Sequence, residues 1–280
     1  MTELPENHES SPRQRRASIA LTIAGSDSGG GAGIQADLKA FSALGVYGTS
    51  VVTAVTAQNT CAVTAVHEIP LDVIAAQIDA VLQDIAVDAI KIGMLSSVPI
   101  IDTVARGLEN FAGPVVLDPV MVAKSGDHLL RTDAVEALRA ILVPRATLVT
   151  PNLPEAATLL ASDSASERDA VIDQAGRILD LGCQAVLMKG GHASGETCED
   201  FLLTREDGEH WLQAERIDTT NTHGTGCTLS ASIAAGLARG MSLVEAVRVA
   251  HGYLHTAILR SDELGVGKGH GPVHHFHNAW

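Results

Sequence analysis

The segment Thr222–Thr228 combines glycines, threonines and a cysteine in a pattern typical of an anion-binding turn. It leads directly into a predicted helix from Leu229 to Arg239. The first N–H groups of a helix have no partner within the helix, and the helix dipole favours negative charge there. Gly224 and Gly226 carry no side chain that would block a ligand from this backbone. We therefore expect an anion hole here that receives a phosphate.

Cys227 lies in this segment and has two interpretations. Thiol pKa values tend to be lowered at helix N-termini, so Cys227 could act as a base toward a substrate hydroxyl. Alternatively, it only shapes the pocket. Elsewhere in the chain, at Cys183 and Cys61, the expected interpretation is a small buried side chain.

Asn152 and Glu155 are three positions apart at a predicted helix start, so their side chains can face the same way. An amide and a carboxylate suit Mg²⁺, which keeps most of its waters and takes few protein ligands. The same pair resembles a capping box, with Asn152 as the N-cap. The two roles can coexist, and the spacing alone favours the cap.

Asp118 and Lys189 each follow a predicted strand. Asp118 precedes a proline and could face a metal or phosphates. Lys189 precedes two glycines and could reach a phosphate as a point charge, although a solvated lysine is the ordinary interpretation. An anion hole, a lysine and carboxylates for Mg²⁺ together indicate phosphoryl transfer, which depends mainly on positioning and charge neutralisation.

Strands and helices alternate along the chain, which predicts an α/β fold with a mostly parallel sheet and helices on both faces. The predicted parallel strands are Ile19–Ala24, Tyr47–Ala57, Ala89–Ile92, Pro114–Leu117, Thr147–Thr150 and Ala185–Met188. A short strand is expected at Val63–Ile69, and a hairpin at Phe201–Thr204 and His210–Ile217. Ligands bind such sheets at the carboxyl ends of the strands. The polar residues found at those ends, which core packing would not predict, are Asp27, Gln58, Asp118, Asn152, Glu155 and Lys189.

The loop Gly25–Gly33 joins the first strand to the first helix. It matches neither the dinucleotide fingerprint nor the phosphate loop that ends in Gly-Lys-Ser/Thr. Asp37, in the second turn of that helix, is close enough to the loop for its carboxylate to face a ligand. Gln58 is either an ordinary turn residue or a residue whose amide donates to and accepts from a heterocycle. The sequence leaves both interpretations open.

The composition narrows the class of protein. The chain has 280 residues, 46% of them hydrophobic, and a net charge of −14. Such acidity argues against nucleic-acid or anionic-membrane partners. Four cysteines without a C-x-x-C pair indicate a reducing, cytoplasmic location, and no run of about 18 apolar residues predicts a membrane span. We expect a disordered tail at residues 1–17 and a single domain at residues 18–280.

The C-terminal segment is rich in histidine. His274, His275 and His277 could bind a metal, but their spacing matches no recognised ligand pattern. A packed or partly exposed tail is therefore favoured.

Several ordered segments resemble the hydroxymethylpyrimidine/phosphomethylpyrimidine kinases of thiamine biosynthesis. They are Gly25–Asp37, Ala57–Cys61, Lys91–Leu95, Ala123–Asp127, Thr150–Glu155, Met188–His192, Asn221–Ser230 and Gly267–His275. The resemblance spans about Ala17 to Trp280. It implies a three-layer α/β/α ribokinase-like fold, a homodimer, and two ATP-dependent phosphorylations. The first makes 4-amino-5-hydroxymethyl-2-methylpyrimidine phosphate, and the second makes the diphosphate.

The resemblance also implies roles for residues of this chain. Gln58 and Asp37 would contact the pyrimidine, in a pocket lined by Gly25, Met94 and Val120. The segment from Gly224 to Cys227, with Thr225, would form the anion hole for ATP. Lys189 would serve the phosphates, and Asn152 with Glu155 would order Mg²⁺, with Asp118 nearby. Most of the wider ribokinase superfamily carries Asp where this chain has Cys227, so the identity of the base stays open.

Two other functions are alternatives to the pyrimidine kinase activity. A pyridoxal kinase of the same fold predicts other residues around the ring, and Gln58 and Met94 with their neighbours favour the pyrimidine. A non-catalytic vitamer-binding regulator predicts a lost anion hole or a lost Lys189, and both are retained. A fused thiamine-phosphate synthase is not expected, because too little chain remains for a second domain.

Overall fold

The computed structural model describes residues 16–121, 132–191 and 195–280. The expected tail lies outside the described residues except for Arg16 and Ala17, and the segment Ala123–Asp127 also lies outside them. A nine-stranded sheet, in the order β3-β2-β1-β4-β5-β6-β7-β8-β9, forms the centre of the fold. Its strands are β1 Ile19–Asp27, β2 Tyr47–Gln58, β3 Val63–Glu68, β4 Ala89–Ile92, β5 Val115–Leu117, β6 Leu148–Val149, β7 Ala185–Met188, β8 Thr197–Thr204 and β9 Gly208–Glu215.

The six central strands pair in parallel, as predicted; in their order across the sheet they are β2, β1, β4, β5, β6 and β7. Strand β3 is antiparallel at one edge, and the β8–β9 hairpin is antiparallel at the other. The expected hairpin is confirmed, but β8 begins at Thr197, four residues earlier than predicted. The four residues of β4 and the four of β7 are all buried, as strands covered on both faces require.

Helices cover both faces of the sheet, which confirms the three-layer arrangement. The helices are α1 Gly33–Ala43, α2 Leu71–Asp84, α3 Val98–Gly107, α4 Thr132–Ala137, α5 Leu153–Leu160, α6 Arg168–Leu179, α7 Thr225–Ala238 and α8 Leu243–Leu259. Helices α2 to α6 pack on one face through side chains such as Ile74, Ile101 and Ile178. Helices α1, α7 and α8 pack on the other through Phe41, Ile233 and Val247. Helix α4 ends at Ala137, and a π-helical turn follows at Leu138–Leu142.

Helix α7 begins earlier than predicted and is buried on all sides. It begins at Thr225 rather than Leu229, so Gly226 and Cys227 lie in its first turn and not in a preceding loop. Residues 228–236 are also all buried, so the helix has no solvent-exposed face over this length. The helix is enclosed by the sheet, α1 and α8, and its small residues permit this. A Cβ at Gly236 would come within 2.8 Å of the Ala246 Cβ. The position of the α7 N-terminus is therefore fixed by packing on all sides.

The C-terminal segment packs against α8. The Tyr253 hydroxyl donates to the His275 carbonyl at 2.6 Å, and the His274 N–H donates to the Ala257 carbonyl at 2.8 Å. His274 and His275 are buried. The described part of the chain contains no cluster of three His, Cys, Asp or Glu side chains placed to bind a metal. The packed interpretation of this tail is thus confirmed.

Two further expectations have clear outcomes. Cys183 is fully buried, as expected, but Cys61 is exposed in the turn after β2, so the burial expected for it is wrong. No helix among the described residues has the length and apolarity needed to cross a membrane.

Candidate active site

A cavity of about 630 Å³ opens at the carboxyl ends of the parallel strands. Segments far apart in the sequence contribute to its wall. The predicted site residues that line it are Gly25, Gln58, Met94, Asp118, Val120, Asn152, Glu155, Lys189, Gly224, Thr225, Gly226 and Cys227. Because these come from strand ends and from the α7 N-terminus, the cavity brings the expected phosphate and ring residues into one space.

The first turn of α7 lies directly against charged groups. Gly224 has φ +79° and precedes the helix, and a Cβ there would lie 1.8 Å from the Gly31 carbonyl oxygen. A Cβ at Gly226 would lie 3.3 Å from Lys189 Nζ and 3.5 Å from Asp118 Oδ2. The two glycines therefore allow the helix terminus to approach both the loop and the Lys189 ammonium.

Lys189 is held by carboxylates and is not a solvated lysine. Its Nζ lies 2.9 Å from Asp118 Oδ1 and 3.7 Å from Glu155 Oε2. Burial opposes the charge of Lys189, but Asp118 and Glu155 outweigh it and raise the lysine pKa. Burial alone would raise the pKa of Asp118, but Lys189 and Lys91 outweigh it and lower that pKa. The pair is thus a fixed cation and a fixed anion at neutral pH.

Asn152 and Glu155 form the capping box that their spacing predicted. The Glu155 N–H donates to Asn152 Oδ1, and the Asn152 N–H donates to Glu155 Oε2, both at 2.8 Å. Burial is the largest influence on Glu155 and raises its pKa, with Lys189 opposing. Together with Asp118, these residues place hard oxygen donors along one wall, which fits Mg²⁺ bound through few protein ligands and the phosphates.

Asp37 lies behind the cavity rather than in its wall, which corrects the expectation that it contacts the ring. It is fully buried, and both its oxygens accept from Lys91 Nζ, at 2.8 and 2.9 Å. Thr22 Oγ1 also donates to it at 2.6 Å. Lys91 itself lines the cavity. The sequence did contain a signal that Lys91 has a buried partner, because it lies within the apolar strand Ala89–Ile92, but not that the partner is Asp37.

Cys227 faces the cavity and is half-buried. Burial raises the pKa of the thiol to about 11; Lys91 opposes this, and Asp37 and Asp118 add to it. The expectation of a lowered pKa is therefore wrong, because desolvation and two nearby carboxylates raise the pKa of this thiol. The thiol is protonated at neutral pH.

A hydrogen-bonded group joins the glycine loop to the approach to α7; the sequence singled out its members Asp27 and Gln58 but not His223. Asp27 Oδ2 lies 2.8 Å from His223 Nε2 and also accepts from the N–H groups of Gly31 and Ala32. The amide of Gln58 lies 3.4 Å from the same His223 nitrogen. Asp27, His223 and Gln58 all line the cavity.

The sequence also did not predict the residues at the far end of the cavity. Cys198 and Asp200 come from β8, and His251 and His255 come from α8. Asp200 accepts from the Gly190 N–H at 2.8 Å, and its other oxygen lies 3.8 Å from His251 Nε2. Burial is the largest influence on Asp200 and raises its pKa. No local motif marks these residues, because only the packing of α8 beside the hairpin brings them together.

Comparison with known proteins finds relatives that cover most of this chain. The family model for phosphomethylpyrimidine kinase matches residues 27–274. The hydroxymethylpyrimidine/phosphomethylpyrimidine kinase of Rhizobium meliloti is 56% identical over 264 residues, covering 94% of this chain and 98% of that protein. Among solved structures, an ADP complex of Bacillus subtilis pyridoxal kinase is 41% identical with a TM-score of 0.85, covering 93% of this chain and 98% of that one.

A phosphomethylpyrimidine kinase from Clostridium difficile is 44% identical with a TM-score of 0.76, covering 86% of this chain and 99% of that one. These neighbours have the ribokinase-like fold, which confirms the expected fold class. The family match covers most of the chain, and the identities extend over nearly its full length. The chain therefore belongs to the phosphomethylpyrimidine kinase family.

Proposed function

We propose that the chain transfers the γ-phosphoryl group of ATP to the hydroxymethyl group of 4-amino-5-hydroxymethyl-2-methylpyrimidine, and then phosphorylates the monophosphate to the diphosphate in thiamine biosynthesis. One observation carries the proposal beyond family membership. The Lys189–Asp118 pair meets the N-terminus of α7 in the same cavity that Gln58 and Met94 line. This arrangement supports a phosphate site and a ring site that lie next to each other.

In this proposal the pyrimidine lies among Gly25, Gln58, Met94 and Val120, with its hydroxymethyl group toward Cys227. The transferring group lies at the N–H groups of the first turn of α7, with Lys189 neutralising charge on the phosphates. Preorganised donors of this kind are a large source of transition-state stabilisation.

Cys227 is proposed to hold the attacking hydroxyl by a hydrogen bond rather than to remove its proton beforehand. Its pKa of about 11 leaves little thiolate at neutral pH. A loose phosphoryl-transfer transition state develops little bond to the nucleophile, so the hydroxyl proton can leave late. Thr225 is proposed to contact ATP, and Asn152, Glu155 and Asp118 would hold Mg²⁺, which neutralises phosphate charge when bound.

Two broader features are proposed with this function. One sheet runs through the described residues, which supports a single domain over residues 18–280. The four cysteines are free, which supports a reducing, cytoplasmic location. A homodimer is also proposed, and the exposed Val55 and Val66 at the edge of the sheet support it.

The test is a coupled ADP assay with Mg²⁺ and a panel of hydroxymethylpyrimidine, its monophosphate and pyridoxal, with mass detection of products. We expect mono- and diphosphate of the pyrimidine. Turnover with pyridoxal alone would overturn the proposal. Lys189→Met should abolish most turnover. The matched control is Arg248→Met, which also removes a cation but at an exposed position on α8.

A further inference from the structure

The Asp27–His223 pair has no part in the transfer proposed above, although it lies in the wall of the site. Asp27 is 2% exposed and His223 is 7% exposed. The Asp27 carboxylate accepts from three backbone N–H groups, those of Gly29, Gly31 and Ala32, at 2.8 to 3.0 Å. His223 Nε2 completes its set of partners at 2.8 Å. The carboxylate therefore fixes the glycine loop and the imidazole together.

This arrangement determines where the imidazole carries its hydrogen. Burial acts to raise the pKa of Asp27, but the hydrogen bonds from His223 and the loop outweigh it and lower that pKa. An ionised carboxylate only accepts hydrogen bonds. At 2.8 Å, a His223 Nε2 without hydrogen would direct a lone pair at an anion. Nε2 must therefore be the donor to Asp27.

The position of that hydrogen selects one orientation of the Gln58 amide. The amide has one end 3.4 Å from His223 Nε2 and the other 3.2 Å from Thr56 Oγ1. Rotation by 180° exchanges the amide oxygen and nitrogen between these two places. A protonated Nε2 cannot accept from an amide N–H, so the oxygen belongs beside His223. Thr56 Oγ1 donates to the Ser26 carbonyl at 2.9 Å, which leaves it able to accept from the amide nitrogen.

We infer that Asp27 and His223 are positioning residues that orient Gln58 so that it presents an N–H donor to the cavity. Gln58 then recognises an acceptor on the substrate ring, that is, a ring nitrogen rather than the exocyclic amine. This inference rests on the proposed function, since it assigns the basis of ring specificity in that site. It makes the specificity of Gln58 depend on two residues that need not touch the substrate.

The experiment compares the pyrimidine with its two deaza analogues, in which one ring nitrogen or the other is replaced by CH. Calorimetric binding and kcat/KM are both measured, above the pH at which the ring is protonated. Sites built to bond a polar group reject an analogue that lacks it. We expect wild type to disfavour one deaza analogue by about tenfold or more. His223→Ala should reduce that ratio to within about threefold, and His223→Gln, whose amide can still donate to Asp27, should restore it.

Two variants make the result decisive. Gln58→Glu leaves His223 intact and removes the N–H donor, so we expect it to lose affinity for the pyrimidine; retained affinity would mean that the amide oxygen faces the ring. His270→Ala, which changes a histidine bonded to the Thr220 carbonyl instead of Asp27, should keep the wild-type ratio. An unchanged ratio in His223→Ala, with all ligands weakened equally, would show a merely structural role and overturn the inference. Failure of the proposed function would give a different result from failure of this inference. The wild type would then not turn over the parent pyrimidine, while the ratios of binding between the pyrimidine and its deaza analogues would still decide the orientation of Gln58.

Discussion

Cys227 shows how the surroundings of one residue can override its local context. Its place just before a predicted helix start favoured a lowered thiol pKa, yet burial beside Asp37 and Asp118 raises that pKa to about 11. A thiol in this state is a hydrogen-bonding group at neutral pH. The position relative to the helix was visible in the sequence, but the two carboxylates come from distant segments and were not.

The first prediction concerns the pH dependence of alkylation at Cys227. A raised pKa means that the thiolate, the reactive form, increases only at high pH. In a variant with Cys61→Ser to remove the exposed thiol, the alkylation rate at Cys227 should rise about tenfold per pH unit up to about pH 10. The rate would be followed with iodoacetamide and peptide mass mapping. A plateau near pH 8 would show a thiolate already formed and would favour a base.

The second prediction concerns Cys227 in turnover. Cys227→Ser keeps a hydrogen-bonding group, so kcat should stay within about tenfold of wild type, or ~1.4 kcal/mol of barrier. Cys227→Ala removes the group and should lower kcat further. Single-turnover rates would separate this effect from product release. A loss in Cys227→Ser as large as that in Cys227→Ala would indicate that the thiol has a role a hydroxyl cannot fill.

The third prediction concerns the buried Lys91–Asp37 pair. Removing one partner leaves a buried charge uncompensated, so Lys91→Met should lower the free energy of unfolding by about 3–5 kcal/mol. The double variant Lys91→Met, Asp37→Leu should recover much of that loss, because it leaves no unpaired charge. Urea unfolding would measure both. Lys39→Met, which loses only a bond to the Gly30 carbonyl, is the control; a loss in Lys91→Met no larger than the control would contradict the prediction.

At the scale of elements, the N-terminus of α7 depends on the close contact between Gly224 and the loop that contains Gly31. The fourth prediction is that Gly224→Ala lowers kcat/KM by at least about a hundredfold, because a Cβ 1.8 Å from a carbonyl oxygen must displace the proposed anion hole. Gly240→Ala is a matched control. Its φ of +81° gives the same backbone strain, but a Cβ there meets no atom within 4 Å.

Both glycine variants should lose about 1–2 kcal/mol of stability from the left-handed backbone alone. Activity measured beside thermal unfolding therefore separates the anion hole from general strain. Equal losses of activity in the two variants would show that the contact with Gly31 has no special importance.

The fifth prediction separates the two roles of Asn152. Asn152→Asp keeps a good N-cap, whereas Asn152→Ala should cost about 1 kcal/mol of stability. If Asn152 also orders Mg²⁺, both substitutions should change the Mg²⁺ dependence of turnover. Ser242→Ala removes the side-chain cap of α8, which accepts from the Glu245 N–H, and should leave that dependence unchanged. Wild-type Mg²⁺ dependence in both Asn152 variants would leave Asn152 a cap alone.

At the scale of the whole molecule, the regular part of the fold followed from the sequence. Short apolar strands followed by polar residues predicted a parallel sheet with a site at its carboxyl edge, and residues such as Gln58 and Lys189 do meet there. Periodicity and spacing report on neighbours along the chain. They could not show that Asp37 turns inward to Lys91, nor that α8 brings His251 to Asp200, because those contacts depend on how the layers pack.

The exposed surface at the β3 edge of the sheet supports the proposed homodimer. Val55 and Val66 are 47% and 45% exposed, and Leu71 and Val73 on the adjoining α2 are 41% and 44% exposed. Edge strands with apolar surface are rarely left unprotected, and apolar patches commonly mark interaction sites. Strand β3 also pairs with the end of β2, where Gln58 is opposite Val63. A second copy covering this edge would therefore stabilise the segment that carries the proposed ring contact.

A test of this surface links assembly to catalysis. Val66→Glu should convert a dimer to a monomer in light scattering at equal concentration, and it should raise KM for the pyrimidine more than KM for ATP, because the Gln58 segment loses its support. Val249→Glu places the same charge at a position of similar exposure, 41%, on α8. That control should remain dimeric with wild-type KM values. A monomeric wild type, or a dimer that Val66→Glu leaves intact, would exclude this edge as the interface. A monomeric variant with unchanged KM would show that the β3 edge joins two copies without supporting the ring site.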